Sequence, residues 1–489
     1  MLTHRSAGVL LPVAALPGPK FCGDFGRGAR RFIDQLAEYG FDTWQVLPLH
    51  PTERAFGYSP YSAQSAFAMD EGYLSVRDLL GKADRKALRP GKDKAAGRID
   101  YASAKAHRAR AIDAAFAQAD DPELTAFAEW RDGNAWVEEY ATWRVSADEQ
   151  ASIHWPKWPR ALRGDALREG PAVDRVAYGQ FCLARQWQSL LRYATERGVR
   201  LFGDLPIYPH LDSADVWANR EIFKLTKTGL PRRVAGVPPD YFSADGQLWG
   251  NPVYDWPTLE SEGFTWWVDR IEHALKTYDL LRLDHFIGLV RAYEVGASAK
   301  TARRGSYVDV PTDGLFAALE ARLGTLPIIA EDLGADMPEV REAMVRWGLP
   351  GMRVLQFGFG GEADNPHLPH NYSPESVAYT GTHDNDTLRG WYAAVDKPTR
   401  RHLRRYVGRK PKGKRVHRLG QRLVLGSTAL LAIVPAQDLL GLPTGTRTNT
   451  PGTTEANWGW RADGEALYGE RAWAKAAGLL TVYGRRRGR

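Results

Sequence analysis

The feature that most constrains the fold is a series of eight apolar segments, most of them followed by a longer stretch of helical character. Each segment is a nearly continuous apolar run, which is typical of strands buried on both faces of a parallel sheet. Eight such strands joined by helical crossovers predict an α/β fold of the (β/α)8 barrel type. The predicted strands are residues 7–13, 41–49, 199–208, 278–286, 326–334, 351–359, 376–384 and 429–440.

Two long insertions interrupt the alternation of strands and helices. Residues 70–198 contain segments with the apolar spacing of helices and predict a mainly helical insertion. Residues 209–275 are richer in Pro, Gly and Trp and predict a loop-rich insertion. Because loops after barrel strands surround the active-site face, both insertions are expected to build a cleft there. The whole chain, 1–489, is then one catalytic barrel without a separate C-terminal β-domain.

The composition is that of an ordinary globular protein, and its excess of positive charge lies in one internal segment and at the C-terminal end. Of the net charge of +7, residues 397–418 contribute eleven Lys or Arg and no acid, and the last five residues add four more, which leaves the rest at −8. Without interleaved aromatic residues, the segment predicts a solvated surface, with a polyanion site as the alternative. No nucleic-acid partner is therefore expected. No apolar run has the length of a membrane-spanning helix, so no membrane partner is expected either.

The spacing of the cysteines and the N-terminal segment indicate the cellular compartment of the protein. Cys22 and Cys182 lie far apart and form no metal-like or redox-like spacing, which favours a reducing compartment over a disulfide. Residues 7–18, with His4 and Arg5 ahead of them, resemble an export signal, but Pro12 interrupts the apolar run and a barrel strand explains it equally well. We therefore predict a cytoplasmic protein.

Charged side chains arrive at the C-terminal ends of several predicted strands. A barrel enzyme collects its catalytic groups on that rim, because the opposite rim serves stability. Side chains two residues apart on a strand share a face, so two of these residues, Arg282 and Asp284, should point together into the mouth of the barrel. The strand-end residues are Asp204, Arg282, Asp284, Glu331, His383 and Asp384.

Three carboxylates in one cleft suit the cleavage of glycosidic bonds, in which one attacks the sugar carbon and another protonates the departing oxygen. Arg282 beside Asp284 favours an ionised nucleophile. The apolar run before Glu331 favours a raised pKa, as does Asp332 if it lies close, and such a carboxyl keeps a proton available. Asp384 remains to hydrogen-bond sugar hydroxyls.

Several stretches resemble a known family. The segments LRLDHF, AEDLG, GTHDN and GDLPIY, together with LWGNP and NTPGTTEANWGWR, are similar to those of amylomaltases, the 4-alpha-glucanotransferases related to the alpha-amylases. The resemblance implies that Asp284 is the nucleophile, Glu331 the general acid and base, and Asp384 the transition-state stabiliser. The residues that it assigns to substrate binding are Arg282, His285, His383, Asp204, Ser59, Tyr61, Trp249, Asn457 and Asp240.

Structural alternatives accompany these assignments. Tyr61 and Trp249 could be core aromatics, His285 a buried structural histidine, and Asp204 the structural partner of an arginine in the barrel lumen. The chain also departs from the family pattern in the loop after His285. The family usually has Arg-Gly where this chain has Ile287-Gly288, and Trp where it has Glu294 and Tyr307. These departures put the acceptor side in question.

The predicted reaction is retaining transfer of α-1,4-glucan segments between chains. Its substrates are maltooligosaccharides, starch or glycogen chains, with glucose as an acceptor. No metal is expected, because the acids lack calcium-loop spacing and the histidines lie apart. No organic cofactor is expected either, because this chemistry needs none. The alternatives are an α-1,4-glucan hydrolase, which would use the same carboxylates, and a non-catalytic glucan-binding protein. Monomer and homodimer both remain open.

Overall fold

The barrel strands form at the predicted segments. The computed structural model describes residues 2–90, 97–164, 166–239, 244–334, 337–453 and 455–486. Each of the eight predicted segments overlaps one strand of an eight-stranded parallel sheet, so the (β/α)8 barrel is confirmed. The strands of the described residues are β1 (Ser6–Leu10), β2 (Thr43–Gln45), β3 (Arg200–Leu205), β4 (Arg233–Val237), β5 (Gln247–Pro252), β6 (Leu280–Leu283), β7 (Arg291–Gly296), β8 (Gly305–Asp309), β9 (Ile328–Ala330), β10 (Gly351–Val354), β11 (Ser376–Tyr379) and β12 (Leu431–Pro435).

The barrel sheet has the order β10-β11-β12-β1-β2-β3-β6-β9. Its two outer strands meet, because the backbone N–H of Ala330 at the end of β9 donates to the Pro350 carbonyl at 2.9 Å. A side chain completes the junction: the Asp332 carboxylate accepts from the N–H of Met352 at 2.7 Å and from Arg353 at 2.8 Å. The strands are short and apolar on both faces, as a sheet covered by helices requires.

Helices fill the connections between barrel strands. Helices α2 to α7 occupy the first insertion and α8 to α10 the second, and described residues after β12 contribute helices and no strand. In the described part of the chain, no helix combines the length and apolarity needed to cross a membrane. The helices are α1 (Arg27–Tyr39), α2 (Val76–Leu79), α3 (Lys82–Ala87), α4 (Tyr101–Phe116), α5 (Asp121–Asp132), α6 (Trp136–Glu149), α7 (Pro171–Glu196), α8 (Ala214–Ala218), α9 (Trp256–Ser261), α10 (Thr265–Thr277), α11 (Thr312–Leu323), α12 (Pro338–Arg346), α13 (Leu388–Ala394), α14 (Lys397–Tyr406), α15 (Val416–Leu425), α16 (Ala436–Leu440), α17 (Gly464–Leu467) and α18 (Glu470–Val482).

The structure also contains a second sheet, which was not predicted from the sequence. Strands β5, β4, β7 and β8 form a four-stranded antiparallel sheet in that order. Two of its strands lie in the second insertion and two follow β6, so the sheet joins residues 209–275 to the loop that leaves the end of β6. It carries Trp249 on β5 and Glu294 on β7.

Two arginines stabilise the N-terminal rim of the barrel by hydrogen bonds to backbone carbonyls. Arg485 is buried and donates to the backbone carbonyls of Ser6, Leu425, Ser427, Ala429 and Leu430 at 2.6 to 3.0 Å. Arg5 donates to two of the same carbonyls, those of Ser427 and Leu425. These carbonyls are at the beginning of β1, just before β12 and at the end of α15, so this rim is closed by hydrogen bonds to the backbone.

Candidate active site

The register between β3 and β6 places Asp204 opposite Arg282. Nη1 of Arg282 donates to both carboxylate oxygens of Asp204, at 2.8 and 3.0 Å. Nη2 of the same guanidinium lies 2.8 Å from Oδ1 of Asp284. Asp204 and Arg282 are buried, so one guanidinium fork holds both carboxylates in fixed directions. The structural ion pair with an arginine, which was the alternative prediction for Asp204, is therefore present.

Asp284 follows β6 directly. Its backbone N–H donates to the Leu205 carbonyl at 3.0 Å, which extends the pairing of β3 and β6 by one residue. The side chain is 25% exposed, in contrast to the buried Asp204. Of the two carboxylates held by Arg282, only that of Asp284 is accessible to solvent.

Glu331 follows β9 and lies next to this cluster. Its backbone N–H donates to the Leu283 carbonyl at 3.0 Å. Its carboxyl accepts from two backbone N–H groups, that of His285 at 2.7 Å and that of Leu333 at 3.0 Å. Burial raises the pKa of Glu331 to about 8, while Arg282 opposes the shift and Asp284 adds to it. Glu331 therefore holds a proton at neutral pH.

His285 connects the two carboxyl groups through its backbone. It has φ of 51°, in the left-handed region, where the chain turns out of β6 into the turn Phe286–Leu289. Its N–H bonds Glu331, and its imidazole lies edge-on to the ring of Trp249 with centroids 4.7 Å apart. Burial lowers the pKa of His285 to about 4, although Asp284 opposes the shift, so the imidazole is neutral.

Tyr61 joins the Asp204 side of the site to the Asp384 side. Its hydroxyl donates to Oδ2 of Asp204 at 2.7 Å, and its ring stacks on that of His383 with centroids 5.0 Å apart. Nε2 of His383 lies 3.4 Å from Oδ1 of Asp384. Burial and Asp204 raise the pKa of Tyr61 well above its usual value, so its hydroxyl remains a donor. The contacts thus run without a break from Asp284 to Asp384.

The other residues predicted to bind substrate lie in different parts of the structure. Trp249 is exposed on β5, so it is not a core aromatic, and it reaches the site through its contact with His285. Oγ of Ser59 accepts from the N–H of Tyr61 at 3.3 Å. The Asn457 side chain bonds within its own loop, accepting from the N–H of Thr450 at 2.9 Å. Asp240 lies outside the described residues.

Comparison with known proteins identifies the family. The family model described as 4-alpha-glucanotransferase matches residues 11–466. The 4-alpha-glucanotransferase of Aquifex aeolicus is 40% identical over 98% of this chain and 99% of its own length. That of Thermus thermophilus is 41% identical, over 94% of each chain. The chain belongs to the 4-alpha-glucanotransferase family.

A solved member of this family has the same fold. The amylomaltase from Streptococcus agalactiae, determined in complex with acarbose, superposes with a TM-score of 0.92 at 33% identity, covering 99% of this chain and all of that one. The resemblance to amylomaltases is thereby confirmed. The chain is an enzyme, a transferase acting on α-glucans, and the comparisons favour neither the hydrolase nor the non-catalytic alternative.

The departures from the 4-alpha-glucanotransferase pattern fall in the second sheet and the turn before it. Glu294 is buried on β7 and paired with Nζ of Lys224 at 2.6 Å. The Tyr307 ring packs edge-on against Tyr293, with centroids 5.1 Å apart. Ile287, in the position of the usual Arg, is buried in the turn Phe286–Leu289. The next residue, Gly288, keeps the family's glycine, and an added Cβ there would approach the His285 ring to 2.8 Å.

Two residues that contact Asp384 were not predicted from the sequence. Nδ2 of Asn449 donates to Oδ1 of Asp384 at 2.6 Å, and Arg447 donates to the Asp384 backbone carbonyl. Asn449 begins the stretch NTPGTTEANWGWR, which carried part of the family resemblance. That stretch was the available signal, but nothing in it singles out Asn449 as a neighbour of Asp384.

Proposed function

We propose that this 4-alpha-glucanotransferase works by a retaining double displacement in which Asp284 is the nucleophile and Glu331 the acid and base. The observation that carries the proposal is the contrast between the two groups. Asp284 is partly exposed and paired with Arg282. Glu331 is buried, with its pKa raised to about 8. A retaining glycosidase-type reaction needs this difference between neighbouring carboxyl groups.

In the first step a carboxylate oxygen of Asp284 attacks the anomeric carbon of a glucosyl unit. The bond from that carbon to the leaving glucan breaks, and the leaving oxygen takes the proton from Glu331. Asp284 is then esterified to the shortened donor. Arg282 stays paired with Asp204 and keeps the ester oriented.

In the second step the carboxylate of Glu331 takes the proton from the 4-OH of an acceptor glucan. The acceptor oxygen bonds the anomeric carbon, and the ester bond to Asp284 breaks. Asp384 would hydrogen-bond sugar hydroxyls and favour the distorted ring in both steps. His285, being neutral, would donate or accept a hydrogen bond to the sugar without adding charge.

The substrates we propose are maltooligosaccharides and starch or glycogen chains, with glucose also serving as acceptor. Transfer exceeds hydrolysis when an acceptor is held in place and water is excluded. The contact of Trp249 with His285 supports a role for residues 209–275 in covering the cleft. The free and buried thiols of Cys22 and Cys182 support a reducing, cytoplasmic compartment.

Incubation with maltotriose alone tests the function. We expect glucose to accumulate with maltopentaose and longer chains at a constant number of reducing ends, because each transfer breaks and makes one glycosidic bond. The products are resolved by chain length over time, and reducing ends are counted in parallel. Rising reducing ends with only shorter products would show a hydrolase instead.

Replacing Asp284 by Ala tests the mechanism. Without a nucleophile the glucosyl ester cannot form, so we expect turnover to fall by at least about four orders of magnitude, while binding of maltooligosaccharide remains. Activity and binding are measured on the same preparation. The matched control is Asp309→Ala, at a side chain that is 91% exposed, and it should behave as wild type. Near-normal activity of Asp284→Ala would overturn the assignment.

A further inference from the structure

The residues that hold Asp384 belong to a segment far along the chain. The N–H of Asn449 donates to the His383 carbonyl at 3.1 Å, and its side-chain amide donates to Asp384 at 2.6 Å. Arg447 donates to the Asp384 carbonyl and, through Nε, to the Asn449 carbonyl. Residues 383–384 and 447–449 are therefore joined by both backbone and side-chain hydrogen bonds.

This segment continues directly into the loop 450–457. The N–H of Thr450, the residue after Asn449, donates to the side chain of Asn457. Nδ2 of Asn457 in turn donates to the Thr453 carbonyl at 2.8 Å. At the base of the loop the N–H of Trp458 donates to the Thr448 carbonyl at 2.8 Å. Asn457 thus closes the loop on the residue adjacent to Asn449.

The loop also adjoins the wall of the site. The ring of Trp458 lies against those of Tyr61 and His383, with centroids 5.8 and 6.0 Å apart. Trp458 has φ of 58° and Ala456 has φ of 60°, both in the left-handed region. Non-glycine residues hold that conformation only where the surrounding contacts impose it. The shape of this loop is therefore coupled to the contacts at its base.

Asp384 depends on these contacts for its orientation. Its side chain is 43% exposed, so packing does not fix it. Among the described residues, its carboxylate has polar side-chain contacts with His383 at 3.4 Å and Asn449 at 2.6 Å, both at Oδ1. The shorter contact is an amide donating to a charged acceptor, which is the stronger kind of hydrogen bond.

We infer that Asn449 is a positioning residue, which with Arg447 holds the Asp384 carboxylate in the orientation that its proposed role requires. Asn449 holds Oδ1 through its side-chain amide, and its own position is fixed by Arg447 and by the base of the loop that Asn457 closes. The inference rests on the proposed role of Asp384 and adds a residue on which that role depends.

Substitution of Asn449 tests the positioning role. We expect Asn449→Ala to lower kcat about 10- to 100-fold with little change in KM, because a misplaced group costs rate rather than binding. Asn449→Asp keeps the shape, cannot donate and places a negative charge beside Asp384, so it should lose more activity than Asn449→Ala. An Asp variant as active as wild type would overturn the inference.

A double-mutant cycle tests the coupling to the loop. Asn457→Ala alone should lower kcat, because the N–H of Thr450, the residue after Asn449, loses its hydrogen-bond partner. In the Asn449→Ala background the same change should have little further effect, since coupled residues are not additive. Strict additivity would overturn the coupling. The matched control is Asn371→Ala, which removes an amide bonded to the carbonyls of Ala363 and Asn365 in an exposed loop and should leave kcat unchanged.

A third variant separates this inference from the proposed function. Asp384→Asn should be nearly inactive if Asp384 stabilises the transition state. Normal activity of that variant would overturn the proposed function itself. An inactive Asp384→Asn combined with a fully active Asn449→Ala would overturn only the inference about Asn449.

Discussion

At the scale of single residues, the chemistry depends on how the same functional group is surrounded. Asp204, Asp284 and Glu331 are carboxylic acids within reach of one guanidinium, that of Arg282. Asp204 is buried and bidentate, Asp284 is partly exposed and singly paired, and Glu331 is buried among backbone N–H groups. The different roles that we propose for them therefore follow from their surroundings rather than from residue type.

Glu331 predicts an alkaline limit to activity. Its pKa is raised from 4.5 to about 8, so the proton needed by the leaving group is present below that pH and is lost above it. We expect the kcat/KM of maltotriose to fall as the pH rises through about 8. The measurement is a pH profile of initial rates.

A donor with a leaving group that needs no protonation provides the control for this pH profile. With such a donor the first step should show no alkaline fall near pH 8, in wild type and in Glu331→Gln alike. Glu331→Gln should be nearly inactive with maltotriose. If its profile on maltotriose kept the wild-type shape and rate, the acid would have to be a different group.

At the scale of secondary-structure elements, the sequence predicted those features that depend on the local pattern of apolar residues. The eight barrel strands were found because each is a continuous apolar run, and the strand-end residues followed from the direction of the strands. The second sheet was not found, because β5 is largely exposed and antiparallel strands with one open face lack such a run. Arg447 and Asn449 were missed because only tertiary contacts bring them to Asp384, more than 60 residues earlier in the chain.

The close packing of β3 against the residues that lead into β6 predicts that Gly203 cannot take a larger side chain without a loss of stability. An added Cβ at Gly203 would lie 2.2 Å from the buried ring of Tyr278, so Gly203→Ala should destabilise the protein by about 1–3 kcal/mol. Denaturant unfolding measures the difference in free energy of unfolding.

The matched control is Gly478→Ala in α18. There an added Cβ meets nothing within 4 Å and the position is exposed. Alanine has the higher helix propensity, so this variant should gain about 0.5–1 kcal/mol. If the two Gly→Ala substitutions change the free energy of unfolding in opposite directions, packing is separated from backbone effects. Changes in the same direction would contradict the tight packing at Gly203.

At the scale of the whole molecule, charge is unevenly distributed. The Lys and Arg side chains of residues 397–418 form no ion pair with an acid in the described part of the chain. Nearby, partial desolvation together with Arg418, Arg471 and Arg415 lowers the pKa of Lys475. Like charges from α15 and α18 therefore lie close together, at a cost in repulsion.

This basic surface, residues 397–418, predicts a change in stability without a change in catalysis. Replacing the exposed Arg401, Arg404 and Arg405 by Gln relieves repulsion, so Tm should rise at low ionic strength and the gain should vanish in about 1 M salt, where the screening length is only about 3 Å. Activity on maltotriose should be unchanged. Loss of that activity would instead assign the surface a role in the reaction.

The closure of the N-terminal rim by Arg5 and Arg485 has a practical consequence. Both arginines donate to the carbonyls of Ser427 and Leu425, so residues 5 and 485 are neighbours on the face opposite the carboxylates. A short linker could join these positions, and a circular permutant could open the chain in an exposed turn elsewhere. Tethered to a support from this face, the enzyme would present its cleft to long glucans in solution.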